Sequence, residues 1–185
     1  MINLQKGQRI QVLLKNVCVG LGWDPNMGSG DDFDLDASAF MLDANKKLPA
    51  DEYFVFYNNL VSPDGSVSSS GDDLTGGNSD GGDDETLTVH LDMVTNQIQE
   101  IIFTVTIYSA EERRQNFGQV HNAYIRIYNA ETDEEIARYD LDEDFSTETA
   151  IEFGRLYRRN SEWKFEAMGI GYNGGLQTFV NKYRG

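Results

Sequence analysis

The sequence predicts an all-β fold, a sandwich or barrel built from many short strands. Three observations carry that expectation. Apolar and polar residues alternate with period two in Asp34-Leu-Asp-Ala-Ser-Ala-Phe40, Thr86-Leu-Thr-Val-His-Leu91, Phe103-Thr-Val-Thr-Ile-Tyr108 and Tyr124-Ile-Arg-Ile-Tyr128, the mark of half-buried strands rich in β-branched and aromatic residues. Turn signals separate these runs at short intervals. Helical stretches are scarce.

Along the chain, strands are expected at 10–14, 17–22 and 34–40, and a further one at 53–57. Ser62-Pro-Asp-Gly-Ser66 makes a tight turn, with Pro fixing φ and Gly taking positive φ, and leads into a strand at 66–69. Strands at 86–91 and 103–108 follow. A short helix is expected at 109–115, where Ser109 would cap it and Glu111 and Glu112 occupy the first turn. The runs at 124–128 and 135–140 form a hairpin across 129–133. A turn of helix is expected at 146–153, a hairpin of strands 155–158 and 162–167 across 159–161, and a C-terminal helix at 175–184.

The chain has 185 residues, which suits one domain over 1–185, and a chain of this size buries roughly 70% of its unfolded surface. Mean hydropathy is −0.49, and no apolar run approaches the ~18–20 residues that span a membrane. The first residues lack the charged start and apolar segment of a signal peptide, so no membrane insertion and a cytoplasmic location are expected. The lone Cys18 in Val-Cys-Val reads as a buried, inert thiol. His90 and His121 lie in strand-like runs and read as ordinary strand residues, too few for a zinc site without Cys partners. A pI near 4.3 argues against direct nucleic-acid binding.

The net charge of −16 is segregated. Residues 16–112 hold nineteen Asp and Glu against two basic residues, Lys46 and Lys47. The acids crowd into two Gly-rich places, Gly28-Ser-Gly-Asp-Asp-Phe-Asp-Leu-Asp36 and Gly71-Asp-Asp-Leu-Thr-Gly-Gly-Asn-Ser-Asp-Gly-Gly-Asp-Asp-Glu85, with no Lys or Arg among them. An oxygen-only cluster of this kind suits a hard divalent ion, above all Ca²⁺. Asp34 and Asp36, two residues apart on a strand, point to one face roughly 6.5–7 Å apart and can share an ion. Asp24 and Trp23 lie just upstream, and Trp23 is placed to anchor the loop. The second stretch offers Asp72, Asp73, Asp80, Asp83, Asp84 and Glu85, and its glycines let carbonyls turn inward. Mg²⁺, which keeps its waters and binds few carboxylates, competes less well. An EF-hand needs Gly at 37 and Glu at 43, where the chain has Ala37 and Asp43. A solvated acidic surface is the plain alternative.

These residues also carry a resemblance. Gly20-Leu-Gly-Trp-Asp24, Phe33-Asp-Leu-Asp-Ala-Ser-Ala-Phe40, Phe54-Val-Phe-Tyr-Asn-Asn-Leu60, Gly82-Asp-Asp-Glu85, Gln115-Asn-Phe-Gly-Gln-Val120, Glu162-Trp-Lys-Phe165 and Gly171-Tyr-Asn-Gly-Gly175 resemble the TerD family of bacterial tellurium-resistance and general-stress proteins, from the N-terminus to nearly the last residue. The resemblance implies a β-sandwich of two mostly antiparallel sheets with a few short helices and Ca²⁺-binding loops. It implies two Ca²⁺ ions and a stress role rather than a catalytic one. By the family pattern the ligands are Asp24, Asp34, Asp36, Asp72, Asp73, Asp83, Asp84 and Glu85, with Asn59 from the Tyr-Asn-Asn segment. Relatives typically carry Asn at the position of Asp73, and the segment between Thr75 and Asp83 is longer here. The implied partners are calcium and other tellurite-resistance or stress proteins, including a membrane protein of the TerC type.

Three functions compete at this point. The first is a non-catalytic Ca²⁺-binding sandwich whose acidic loops order on binding and present a partner surface. The second is a metal-dependent hydrolase using the carboxylates to hold ion and water, though the sequence offers no clear nucleophile–base pair. The third is an acidic adaptor with no specific metal.

Overall fold

The computed structural model describes residues 2–76, 82–141 and 145–185. Among them lie strands β1 (Ile2–Asn3), β2 (Arg9–Val12), β3 (Asn16–Gly22), β4 (Leu35–Leu42), β5 (Phe54–Val55), β6 (Val67–Ser69), β7 (Glu85–His90), β8 (Glu100–Ile107), β9 (Tyr124–Asn129), β10 (Glu135–Asp140), β11 (Ala150–Arg159) and β12 (Glu162–Tyr172), with helices α1 (Ala110–Arg113) and α2 (Leu176–Tyr183). They form two six-stranded sheets. The first runs β1-β10-β9-β3-β7-β6 and the second β2-β12-β11-β8-β4-β5. Every pairing is antiparallel except β1 with β10. The all-β sandwich of two mostly antiparallel sheets is therefore what the chain forms.

The core follows from the two-residue period. Val17, Val19 and Leu21 of β3, Leu87 and Val89 of β7, and Ile125 and Ile127 of β9 face inward from the first sheet. Leu35, Ala37, Ala39 and Met41 of β4, and Ile101, Phe103, Val105 and Ile107 of β8 meet them from the second. Unlike β7, strands β4 and β8 are buried on both faces, because α2 covers the outer side of the second sheet. Its Phe179 and Tyr183, one turn apart, pack onto Phe40, Leu42, Phe54, Ile102 and Ala150. A large side chain buried this completely is worth roughly 1.5–3 kcal/mol. Among the described residues no helix is long and apolar enough to cross a membrane.

Several expectations need correction. Residues 146–153 are not helical. Ser146 and Thr147 donate backbone N–H to the Glu148 carboxylate at 3.1 Å each, a local turn, and β11 begins at Ala150. The ladder to β8 and β12 on both sides outweighs local helix signals. The strand expected at 53–57 shrinks to Phe54–Val55, between a 3₁₀ turn at Asp51–Tyr53 and a tight turn closed by the Phe56–Asn59 bridge. Ser109 has φ +49° and makes no capping bond, so α1 is a single turn. His121 sits at an exposed bend rather than in a strand, its carbonyl accepting from the Asp24 N–H. Cys18 is buried as expected, its Sγ 3.4 Å from the Thr88 hydroxyl.

Candidate metal centre

Strand β4 sends alternate side chains to opposite sides. Leu35 and Ala37 enter the core, and Asp36 faces outward toward the layer that holds α2. Asp34 precedes the strand on the same side, and its carbonyl accepts the Tyr108 N–H at 2.8 Å. Asp72 arrives from the loop after β6. One carboxylate oxygen of each of Asp34, Asp36 and Asp72 lies within 4.8 Å of the others. Asp34 and Asp36 are each only 5% exposed, and Asp72 faces solvent.

Packing the carboxylates this closely raises the proton affinity of the two buried ones. Burial first, then the charge of Asp72, pushes Asp34 up to about 6. Burial, then Asp34 and Asp72, pushes Asp36 up to about 8. Tyr57 is raised too, by burial and then by Asp36. Among the described residues, buried Oδ1 of Asp34 and Oδ2 of Asp73 accept no hydrogen bond. Leaving a buried acceptor unpaired costs about 1–3 kcal/mol, more for a charged one. A hard cation fits this donor set: every candidate ligand atom is oxygen, two lack a protein donor, and the arrangement is costly without a positive charge.

The surroundings hold the trio in place. Strand β5 covers only Ala39 and Phe40 of the β4 edge, which leaves the Ala37 N–H without a ladder partner. Glu85 of β7, in the other sheet, accepts it at 2.8 Å and takes the Asp73 N–H at 3.1 Å with its second oxygen. Glu85 thus ties both sheets to the 71–76 loop. Burial pushes its carboxyl up to about 9, against the lowering effect of those two amides. Within the loop, Oδ1 of Asp73 accepts from the N–H groups of Thr75 and Gly76 at 2.9 and 3.1 Å.

Trp23 is the second anchor. Its indole N–H donates to the Phe33 carbonyl at 2.9 Å, and its backbone N–H donates to Asp84 at 2.9 Å. Gly76, at φ +72°, rests against the indole so closely that a Cβ there would lie 2.4 Å from Nε1.

The remaining expected ligands lie elsewhere. Asp83 turns to the outer face of the first sheet, where Arg126 grips both of its oxygens at 2.8–3.0 Å and the Tyr124 hydroxyl adds a further bond at 3.0 Å. Its carboxylate fills the space above Gly20, where a Cβ would come within 2.2 Å of it. Asp24 accepts from the Asn122 side chain at 2.6 Å. Asn59 donates to the carbonyls of Glu52 and Phe54 at 3.0 and 2.7 Å, bracing the turn after β5. Asp80 lies outside the described residues.

Sequence reasoning missed the basic and amide groups that arrive from outside the acidic stretch. Arg126 reaches Asp83. Gln115 donates to the carbonyls of Asp31 and Asp32 at 2.8 and 3.2 Å, and Arg113 to that of Asp32 at 3.2 Å. The Gln115–Val120 motif was the available signal for Gln115; the two arginines had none, because strand register decides which acid they meet.

Residues 1–183 match the TerD domain model. The chain is 52% identical to tellurium resistance protein TerD of Serratia marcescens, covering 98% of this chain and 96% of that protein. It is 53% identical to general stress protein 16U of Bacillus subtilis, with the same coverage. The crystal structure of a TerD homologue from Streptomyces coelicolor A3(2) superposes with a TM-score of 0.76 at 24% identity, covering 90% of this chain and 95% of that one, and shares the fold.

Proposed function

As this chain belongs to the TerD family, we propose that it is a non-catalytic calcium-binding protein of tellurite resistance and the general stress response. The relatives' names supply the biological setting, and they are names of resistance and stress proteins. One observation carries the calcium reading: Asp34, Asp36 and Asp72 converge within 4.8 Å with a buried oxygen of Asp34 unpaired.

Bound Ca²⁺ would supply the positive charge that the trio lacks. Asp34 and Asp36 are the rigid arms, fixed at the start of a central strand. Asp72 closes on them from the loop, with the unpaired oxygen of Asp73 beside it in sequence. Glu85, Asp84 and Trp23 hold the loop bases, and Asp83 with Arg126 fixes the loop's return to β7. Asp24 and Asn59 brace their own turns. The trio accounts for one ion; a second rests on the family resemblance alone. Drawing Asp72 onto β4 would order the 71–76 loop and present it, with the 24–33 loop, to partners among tellurite-resistance or stress proteins, including a TerC-type membrane protein.

Calorimetric titration of metal-free protein tests this. Ca²⁺ should bind with a stoichiometry of one or two and Mg²⁺ far more weakly, since Mg²⁺ resists giving up its waters. Absence of Ca²⁺ binding at millimolar concentration sinks the reading.

A further inference from the structure

We infer that the carboxylate trio opens into a small-molecule site, where a ligand with an oxyanion head and an aromatic or branched apolar body binds through the trio's cation. The inference rests on the calcium reading above and names what that site would take.

The observation is a cavity of about 570 Å³ that shares Asp36 with the trio. It lies on the outer side of the second sheet, between α2 and the segments that follow β5 and β8. Phe54, Phe56, Tyr57, Tyr108, Leu176 and Val180 make most of its apolar wall. Phe54 and Phe56 stack face to face, with centroids 4.2 Å apart and planes 7° from parallel. Tyr108 remains 48% exposed. The size falls in the ~300–1,000 Å³ range of small-molecule sites, and an apolar wall with a few polar groups at one end is their usual make-up.

A site that only held an ion would have no use for such a wall. Three carboxylates, each giving one or two oxygens, fall at or below the six to eight that Ca²⁺ takes. Asp36 forms part of the cavity lining, so the cavity is the side from which a further oxygen ligand can approach. The charge of the head follows from the same residues. Asp36 and its two neighbours repel an anion, and Arg184, the basic residue of the cavity lining, is already paired with Asp51 beside it. An oxyanion therefore enters only when a cation sits among the carboxylates, and the aromatic wall selects the body behind it. A carboxylate or phosphate of a free small molecule fits better than a lipid headgroup, because the net charge of −16 repels an anionic membrane surface.

The test uses the full chain and 2-naphthoate as probe, titrated in saturating Ca²⁺ and in excess chelator, with 2-naphthylmethanol as the neutral control. Calcium binding is measured separately by calorimetry. Naphthoate should bind at least about tenfold more tightly with Ca²⁺ than without, by mass-action coupling, and the alcohol should show no such dependence. Leu176→Glu places an anion in the cavity wall at the first turn of α2, where the helix tolerates it. It should abolish naphthoate binding and keep calcium binding. If it also loses calcium, Val180→Ser takes its place with the same expectation.

If calcium binds but naphthoate affinity is the same with and without it, or survives both wall variants, the inference falls and the calcium reading stands. If calcium does not bind, both fall. Calcium-dependent binding to phosphatidylserine vesicles without binding of free naphthoate also overturns it, since the ligand would then be a membrane.

Discussion

Two buried carboxylate sites share the outer face of the second sheet, and the chain treats them in opposite ways. Glu152 of β11 is fully buried. It lies in one cross-strand row with Thr104 and Ser38, two strands from β4 and hence about 10 Å across the sheet. Helix α2 answers it with Lys182 Nζ at 2.7 Å and the Tyr183 hydroxyl, and Tyr172 of β12 donates from 3.3 Å. The same pattern recurs where Arg155 bridges Glu100 and Glu166 at 2.7 Å each, and at Asp83 with Arg126. Among the described residues the Asp34–Asp36–Asp72 trio has no such partner. Arg113 lowers the Asp34 carboxyl somewhat, but its guanidinium is spent on the Asp32 carbonyl and over the Tyr108 ring. Where the fold supplies its own cation, the acid is a fastening. Where it withholds one, burial and like charge both penalise the ionised acids, and in the proposed reading an outside cation would offset them.

The sharpest way to break this comparison is to neutralise the trio. Asp34→Asn with Asp36→Asn should abolish the calcium-dependent rise in melting temperature. At a thousandfold excess over Kd that rise is worth about 4 kcal/mol. Without metal the double variant should be as stable as the parent or more so, because the repulsion is gone. Thermal melts with calcium and with chelator read both effects. A calcium response that survives the double substitution would show that the two buried acids are not its source.

A change of pH should separate the sites next. Asp34, Asp36 and Glu85 are raised to about 6, 8 and 9, above their ordinary values near 4. Between pH 4 and 9 the folded, metal-free protein therefore holds protons that the unfolded chain has released. This stabilisation is complete below about pH 4 and is lost as pH rises through 6 to 9. Calcium requires the deprotonated acids, so its affinity should rise over the same window, by up to about tenfold per pH unit for each proton displaced. Melting temperature should thus fall from pH 5.5 to 8.5 with chelator and fall much less with saturating calcium, where the bound ion has already displaced the trio's protons. Parallel slopes would mean that the trio does not couple protons to metal.

The comparison also marks how far sequence reading reaches. Alternation placed β4, β7, β8 and β9 within a few residues, because an inward face of Leu, Ile and Val leaves one register possible. It likewise put Asp34 and Asp36 on one side of the sheet, and the Gly-rich loop supplied Asp72. It treated Asp83, Asp84 and Glu85 as equivalent, and they are not. Asp83 and Asp84 precede β7, outside the alternation of the strand, so Asp83 meets Arg126 on the outer face while Glu85, the first residue of β7, points inward to Ala37. The cations that pair the other buried acids come from residues 126, 155 and 182, far along the chain, and only the fold decides which acid each one meets.

The smallest effect tests the self-supplied side. Lys182→Met removes the cation from Glu152 and leaves the two tyrosine hydroxyls to solvate the carboxylate. Breaking a fully buried pair costs about 3–5 kcal/mol. The Lys182 side chain is 43% exposed, so water partly replaces it, and about 2 kcal/mol is expected. For a chain of this size that is a fall of roughly 4–8 °C in Tm. The loss should be the same in calcium and in chelator, because Glu152 is answered by the fold's own cation. Calcium affinity should also be unchanged, since Glu152 touches none of the trio. A loss that shrinks when calcium is added would show that α2 and the trio are coupled across the sheet face.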